Sequence, residues 1–230
     1  MDRKEDRKHP DKKDRPIAAG RIEKKTALFF MLYLLTLGLG IGYTLSLEVV
    51  GLLGLYFLMN VLYSVKIKHI PLLDISVIAT GFVLRLLVGS VATDVFLSHW
   101  IVVITFLLAL FLALAKRRDE VRIFLKTEKK TRKVIDGYNL KFLQTAMVMS
   151  ATIVLMAYIL WSISPQVTDK LNSKNIYLSS FFVLLGIMRY LQLTIVKEKS
   201  GNPSKILLRD QFIQLLILGW VGCLVWLLYV

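Results

Sequence analysis

Two carboxylates stand four residues apart near the start of the chain. They are Asp2 and Asp6, in the stretch Asp2-Arg-Lys-Glu-Asp6-Arg-Lys-His9-Pro10-Asp-Lys12-Lys-Asp-Arg15-Pro16-Ile-Ala-Ala-Gly20. On a helix this spacing puts both on one face. Paired carboxylate oxygens suit Mg2+, a hard cation that keeps several waters and takes further ligands from substrate phosphates. Lys12 and Arg15 follow within reach of such phosphates. Pro10 is expected to end the helix, with Pro16 and Gly20 shaping a constrained loop after it. Taken alone, the same residues also describe a solvated charged tail.

Three further groups have the chemistry to meet a phosphorylated ligand. In Tyr63-Ser64-Val-Lys-Ile-Lys68-His69-Ile-Pro-Leu-Leu-Asp74, a phenol can donate to a phosphate oxygen and Lys68 supplies a mobile point charge. An interfacial tyrosine anchor beside a snorkelling lysine would look the same. Arg85, in Gly81-Phe82-Val83-Leu84-Arg85, lies inside an apolar run. An arginine there is costly and marks either a ligand or a buried partner, a carboxylate being the structural option. Lys116-Arg117-Arg118-Asp119-Glu120 gathers cations at the end of another apolar run. Lys116 and Glu120 could equally be an ordinary helix pair worth a few tenths of a kcal/mol, roughly. His9, His69 and His99 are scattered without metal-ligand spacing. The single Cys223 excludes a disulfide framework and fits apolar packing. No Walker A or Gly-rich dinucleotide loop is present.

The elements that must position these residues are membrane spans. Hydrophobic residues make up 56% of the 230, yet 30 Lys and Arg face 16 Asp and Glu. Mean hydropathy is +0.61. A soluble surface could not hide that apolar excess, and a disordered basic protein would lack it. Windows of about 20 apolar residues predict seven spans: Thr26–Leu47, Val49–Val65, Ile75–Thr93, Val95–Ala115, Phe142–Ile163, Asn175–Val196 and Gln211–Val230. No signal peptide opens the chain, because residues 1–25 are dominated by charge. Without an internal repeat or a Pro- or Ser-rich linker, residues 1–230 are expected to form one domain.

Segment 1–25 carries ten Lys and Arg, 66–74 two, 116–141 ten and 197–210 four. The alternate connections hold only Lys170 and Lys174, and Arg85 and Arg189 lie within spans. The positive-inside rule therefore places residues 1–25 and the basic loops, including 116–141, in the cytoplasm and the C-terminus outside. Thirteen of the 16 acids share that basic side, leaving Glu48, Asp94 and Asp169 opposite. Mixed carboxylates and cations on one face can hold a divalent cation and a phosphorylated ligand together. Attraction to lipid headgroups accounts for part of the same mixture. Cations beside membrane spans speak for lipid and phosphate and against nucleic acid.

The first motif resembles the aspartate-rich motif of the UbiA superfamily of intramembrane prenyltransferases, Asn-Asp-x-x-Asp-x-x-x-Asp-x-x-His-Pro-x-Lys-x-x-Arg-Pro. Asp2 and Asp6 match its second and third aspartates, and His9, Pro10, Lys12, Arg15 and Pro16 follow in register. Tyr63, Ser64 and Lys68 resemble its Tyr-Ser-x-x-x-Lys element. Most members carry a second aspartate motif near 116–120, where this chain has Lys116-Arg117-x-x-Glu120. That element is similar to one branch, the decaprenyl-phosphate phosphoribosyltransferases. So are residues 63–85, Arg132-Lys133 with Tyr138, Arg189-Tyr190, and Pro203 with Arg209-Asp210. The resemblance runs along essentially the whole chain.

It implies an all-α polytopic membrane protein like the nine-helix UbiA bundle, here without its first two helices and leading aspartate. It implies Mg2+ held by Asp2 and Asp6, which would serve as metal ligands and catalytic residues. Substrate contacts would come from Lys12, Arg15, Tyr63, Lys68, Arg85, Lys116, Arg117, Glu120, Arg132, Tyr138 and Arg189. The expected reaction moves a 5-phosphoribosyl group from 5-phosphoribosyl 1-diphosphate to a polyprenyl phosphate at the cytoplasmic face of the plasma membrane. A monophosphate acceptor needs added cations more than a second set of carboxylates. The competing expectations are prenyl transfer from a prenyl diphosphate to an aromatic or other acceptor, a lipid-binding or transport protein, and an inactive remnant.

Overall fold

The computed structural model describes residues 7, 14–127, 133–197 and 203–229, with the side chains of a few residues at element ends left aside. Every regular element among them is helical. The chain divides into two compact units, Met1–Leu97 with Lys130–Val134, and Ser98–Lys129 with Ile135–Val230.

The first unit begins with the turn at residues 14–22. There Pro16 accepts from the amides of Arg21 (2.9 Å) and Ile22 (3.2 Å), and Gly20 takes φ 83°. A left-handed turn residue of this kind is what glycine permits at no steric cost. Three membrane-length helices follow: α1 (Lys24–Leu45), α2 (Leu47–Val65) and α3 (Leu73–Thr93). Ser46 is the pivot between the first two. Its amide closes α1 on Gly42, and its hydroxyl accepts from the Val49 amide at 3.1 Å to cap α2. The close approach needs Gly42, where a Cβ would lie 2.9 Å from a Leu53 methyl. Small residues let membrane helices come together in this way. Most of α1 is bare, with Phe29 66% exposed and Tyr43 73%. In a membrane protein an apolar surface of this extent suits contact with lipid or with other helices.

The second unit is built on α4 (His99–Thr127) and α5 (Leu140–Ser162), which pack extensively on each other. A short helix α6 (Pro165–Lys170) and a 3-10 turn (Ile176–Ser179) lead into α7 (Ser180–Leu191). The last turns of that span widen into a π-helical segment, Gln192–Val196. Helix α8 (Pro203–Arg209) precedes α9 (Gln211–Tyr229). The Tyr158 hydroxyl ties three elements together. It accepts from Trp220 Nε1 at 2.7 Å and shares a 2.8 Å hydrogen bond with Ser179.

Six of these segments are long and apolar enough to span a bilayer: Lys24–Leu45, Leu47–Val65, Leu73–Thr93, His99–Lys126, Leu140–Ser162 and Ile176–Val196. The seventh expected span coincides with α9, whose apolar stretch Gln211–Leu227 is shorter. The all-α membrane bundle therefore stands, with one correction of substance. The span expected at Val95–Ala115 begins at His99 and runs on to Thr127, through the first half of the expected basic loop. Lys, Arg, Glu and Leu are good helix formers. Ion pairs three residues apart, Arg117–Glu120 and Asp119–Arg122, extend the helix past the apolar run. At 1.5 Å per residue this 29-residue helix is about 44 Å long against about 30 Å of hydrocarbon, so its charged end projects beyond the apolar layer. A 3-10 turn, Lys133–Gly137, then leads to α5, which Asn139 caps by accepting from the Phe142 amide at 2.7 Å.

Candidate functional site

Asp2, Asp6, Lys12 and Arg132 lie outside the described residues. Among the described residues, no group of three or more His, Cys, Asp or Glu could hold a metal ion. Near the first motif, Arg7 Nε donates to the Ala18 carbonyl of the turn at 14–22 at 2.7 Å. Arg15 is exposed on that turn.

Tyr63 and Lys68 are both half-buried, at the end of α2 and on the 3-10 turn Ile67–His69. The turn hands over to α3 through Leu72, which takes φ 67°. A branched residue is rarely left-handed, and strain of this kind gathers at sites where the surroundings over-determine the backbone. Directly after it, Asp74 and Ile75 are buried in the first turn of α3, Asp74 completely. Asp74 closes the Tyr63–Asp74 sequence motif, whose spacing gives no sign of its burial. Its depth is a tertiary property. Arg85 lies further along α3 and remains exposed. Its guanidinium donates to the Tyr56 hydroxyl from Nη2 (2.7 Å) and Nε (3.1 Å), and sits 4.9 Å from the centre of the Phe82 ring. Its partner is thus a phenol and aromatic faces, where a carboxylate was the structural expectation. Attraction to π-faces adds about 0.5–1 kcal/mol at exposed positions.

In the second unit the basic turn of α4 is more deeply set than its charge suggested. Lys116 is exposed, but Arg117 is 2% and Arg118 3% exposed, and Asp119 is also buried. Arg117 is ion-paired with Glu120, and Arg122 Nη2 lies 3.0 Å from Asp119. Arg118 Nη1 donates to the Thr194 carbonyl at 2.7 Å, joining α4 to the π-helical segment. Buried charges are tolerated only when paired and hydrogen-bonded, because each is costly to remove from water. Tyr138 is buried against Phe142 with rings 6.2 Å apart.

Arg189, at the end of α7, makes a two-pronged contact with Asp210. Nη2 reaches Oδ2 at 2.7 Å and Nε reaches Oδ1 at 3.2 Å, while Nη1 donates to Gln192 Oε1 at 2.7 Å. Asp210 Oδ1 also accepts from the Ile213 amide at 3.0 Å, capping α9. The Arg189 hydrogen bond holds the Asp210 carboxyl below its ordinary range against the opposing effect of burial; the Ile213 amide and the Lys197 charge act in the same direction as Arg189. The sequence contained both residues of this clamp but no sign that they were partners.

Beside the clamp runs an open apolar groove of about 250 Å3 between α4, α7 and α9, lined by Phe111, Phe182, Tyr190, Ile213 and Trp220 among others. Its wall is almost wholly hydrocarbon and aromatic, with the Phe111 and Tyr190 rings 5.2 Å apart. Such a groove can hold an isoprenoid or acyl segment, while the charged ends of α4 and α7 can hold phosphate. Lys116, Arg117, Glu120, Tyr138 and Arg189 belong to this unit; Arg15, Tyr63, Lys68 and Arg85 belong to the first.

The chain is 32% identical over 229 residues to the decaprenyl-phosphate phosphoribosyltransferase of Corynebacterium glutamicum, covering 98% of this chain and 68% of that protein. It is 30% identical to the proteins of that name from Mycolicibacterium smegmatis and Mycobacterium tuberculosis, each time over 94% of this chain and 70% of the relative. Residues 1–216 match the UbiA prenyltransferase family, and the chain belongs to that family.

Proposed function

We propose that the protein transfers a 5-phosphoribosyl group from 5-phosphoribosyl 1-diphosphate to a polyprenyl phosphate, at the cytoplasmic face of the plasma membrane. The observation that carries this reading is the likeness, along 94–98% of the chain, to proteins named for that reaction. The cationic turn Lys116-Arg117 stands within that likeness.

An oxygen of the lipid phosphate attacks the anomeric carbon of the donor. The bond from that carbon to the diphosphate breaks, and diphosphate leaves with the electron pair. The nucleophile is already an anion, so no general base is required. Asp2 and Asp6 are the residues proposed to hold Mg2+, as paired carboxylates suit a hard cation. When bound, the metal stabilises charge developing on the diphosphate. Lys12 and Arg15 are assigned to the donor phosphates. Tyr63, Lys68, Arg85, Arg132, Tyr138 and Lys116, with the Arg117–Glu120 pair, are assigned to the two phosphorylated substrates. Arg189, held by its clamp on Asp210, is likewise assigned to substrate, and the apolar groove suits a segment of the polyprenyl tail. The product is a polyprenyl-phosphoryl-5-phosphoribose.

Membranes containing the chain, incubated with labelled 5-phosphoribosyl 1-diphosphate, decaprenyl phosphate and Mg2+, should form a labelled lipid. Chelation should abolish the product. Asp2→Asn and Asp6→Asn should each lower the rate about 100-fold or more, the usual cost of removing a group that stabilises transition-state charge. No labelled lipid with phosphoribosyl donor, but product from a prenyl diphosphate and an aromatic acceptor, would replace this reading with the other reaction of the family.

A further inference from the structure

The π-helical segment Gln192–Val196 is held from two sides. At its start, Gln192 accepts from Arg189, which grips Asp210 and through it the first turn of α9. In its middle, the Thr194 carbonyl accepts from Arg118, 76 residues away in sequence. A π-turn shifts backbone hydrogen bonding from the fourth to the fifth residue and commonly marks functional places in helices. Here its carbonyl meets a guanidinium on the basic turn of α4. Arg118 is 3% exposed, so a ligand arriving from water or lipid does not reach it without displacement of its neighbours. Of its neighbours, Lys116 is exposed and Glu120 partly so, whereas Arg117, 2% exposed, is as deep as Arg118 and is ion-paired with Glu120.

We propose that Arg118 is a positioning residue. By fastening α4 to the π-helical segment it sets the rotation of the basic turn, and so the direction in which Lys116 and the partly exposed Glu120 are presented. The Arg189–Asp210 clamp keeps the anchor point in place, making Arg118 and Asp210 parts of one support. The inference rests on the phosphoribosyl-transfer reading for the ligand but not for the anchor. A displacement of about 1 Å in a positioned group can cost on the order of 100-fold in rate.

The test uses the full chain in detergent micelles, with Arg118→Met, Arg118→Lys, Asp210→Asn and the Met/Asn double variant. Backbone hydrogen exchange should quicken over residues 192–197 in Arg118→Met while α5 stays protected. Arg118→Lys, which retains a donor for the Thr194 carbonyl, should restore part of the protection. In the labelled-lipid assay, Arg118→Met should lower kcat/KM for polyprenyl phosphate about tenfold to 100-fold, with partial recovery in Arg118→Lys. The double variant should lose little more than the worse single variant, because both act through one support. Unchanged exchange at 192–197 overturns the anchor, whatever the activity. Fully additive kinetic losses overturn the shared support, since residues acting through one anchor do not add. A wild-type chain that makes no labelled lipid refutes the reaction, and the exchange result still decides the anchor.

Discussion

Asp210 serves two partners with one carboxylate. It pairs with Arg189 and caps α9 through the Ile213 amide. Its pKa is lowered chiefly by the Arg189 hydrogen bond. A carboxyl with a depressed folded pKa contributes stability that is fully present above its unfolded value, about 3.9. That contribution is lost as pH falls through the lower folded value. Thermal unfolding in detergent, followed from neutral pH to about 3, should therefore show an acid-side loss that Asp210→Asn reduces. Identical pH slopes for the two proteins would count against the clamp as a source of acid sensitivity. At this scale the sequence was a partial guide. The helix pair read in the sequence was Lys116 with Glu120, and the structure shows Glu120 ion-paired with Arg117, also within one turn. Arg118 with Thr194, and Arg189 with Asp210, were not legible, because helical spacing predicts contacts only within a turn or two.

Helices in a bilayer associate through close packing and polar contacts, since lipid is as apolar as their side chains. Gly219 on α9 illustrates the first. A Cβ there would lie 2.5 Å from Phe182 Cε1 of α7 and 3.1 Å from Cδ1. Gly219→Ala should destabilise the second unit by about 1–3 kcal/mol through overpacking, seen as a lower unfolding temperature. Gly222→Ala, where nothing lies within 4 Å of the added carbon, serves as the control, and Phe182→Leu should relieve the crowding. Tyr158 illustrates the second. Tyr158→Phe removes the acceptor of Trp220 and the partner of Ser179, at an expected cost of roughly 0.6–1.7 kcal/mol by the same unfolding measurement. The spans themselves were readable from hydropathy to within a few residues at most ends. The charged half of α4 was not, because a hydropathy window ends where charge begins. Ion pairs along a helix let the helix continue.

For the molecule as a whole, charge sets orientation. Residues 1–25 carry ten Lys and Arg and 116–141 ten more, whereas the connection after α5 holds only Lys170 and Lys174. The positive-inside rule then predicts opposite exposure for Asp136 and Asn172. With Cys223→Ser as background, Asp136→Cys should be shielded from a membrane-impermeant thiol reagent in intact cells, and Asn172→Cys should be labelled. Labelling of both, or the reverse pattern, would overturn the proposed sidedness and with it the cytoplasmic site.

By itself the amino-acid sequence determined that this is a helical membrane protein, where its apolar helices run, and which family its motifs resemble. Those properties are local: a span depends on some twenty consecutive side chains, and a motif on residues a few positions apart. Only the tertiary structure decided that Asp74 is wholly buried, that Arg85 meets a phenol, and that the basic turn of α4 is fastened to a π-helical carbonyl. These depend on distances between residues far apart in the chain. Burial makes such partners obligatory, since an unpaired charge away from water is too costly to keep, but composition and spacing do not say which partner will be there.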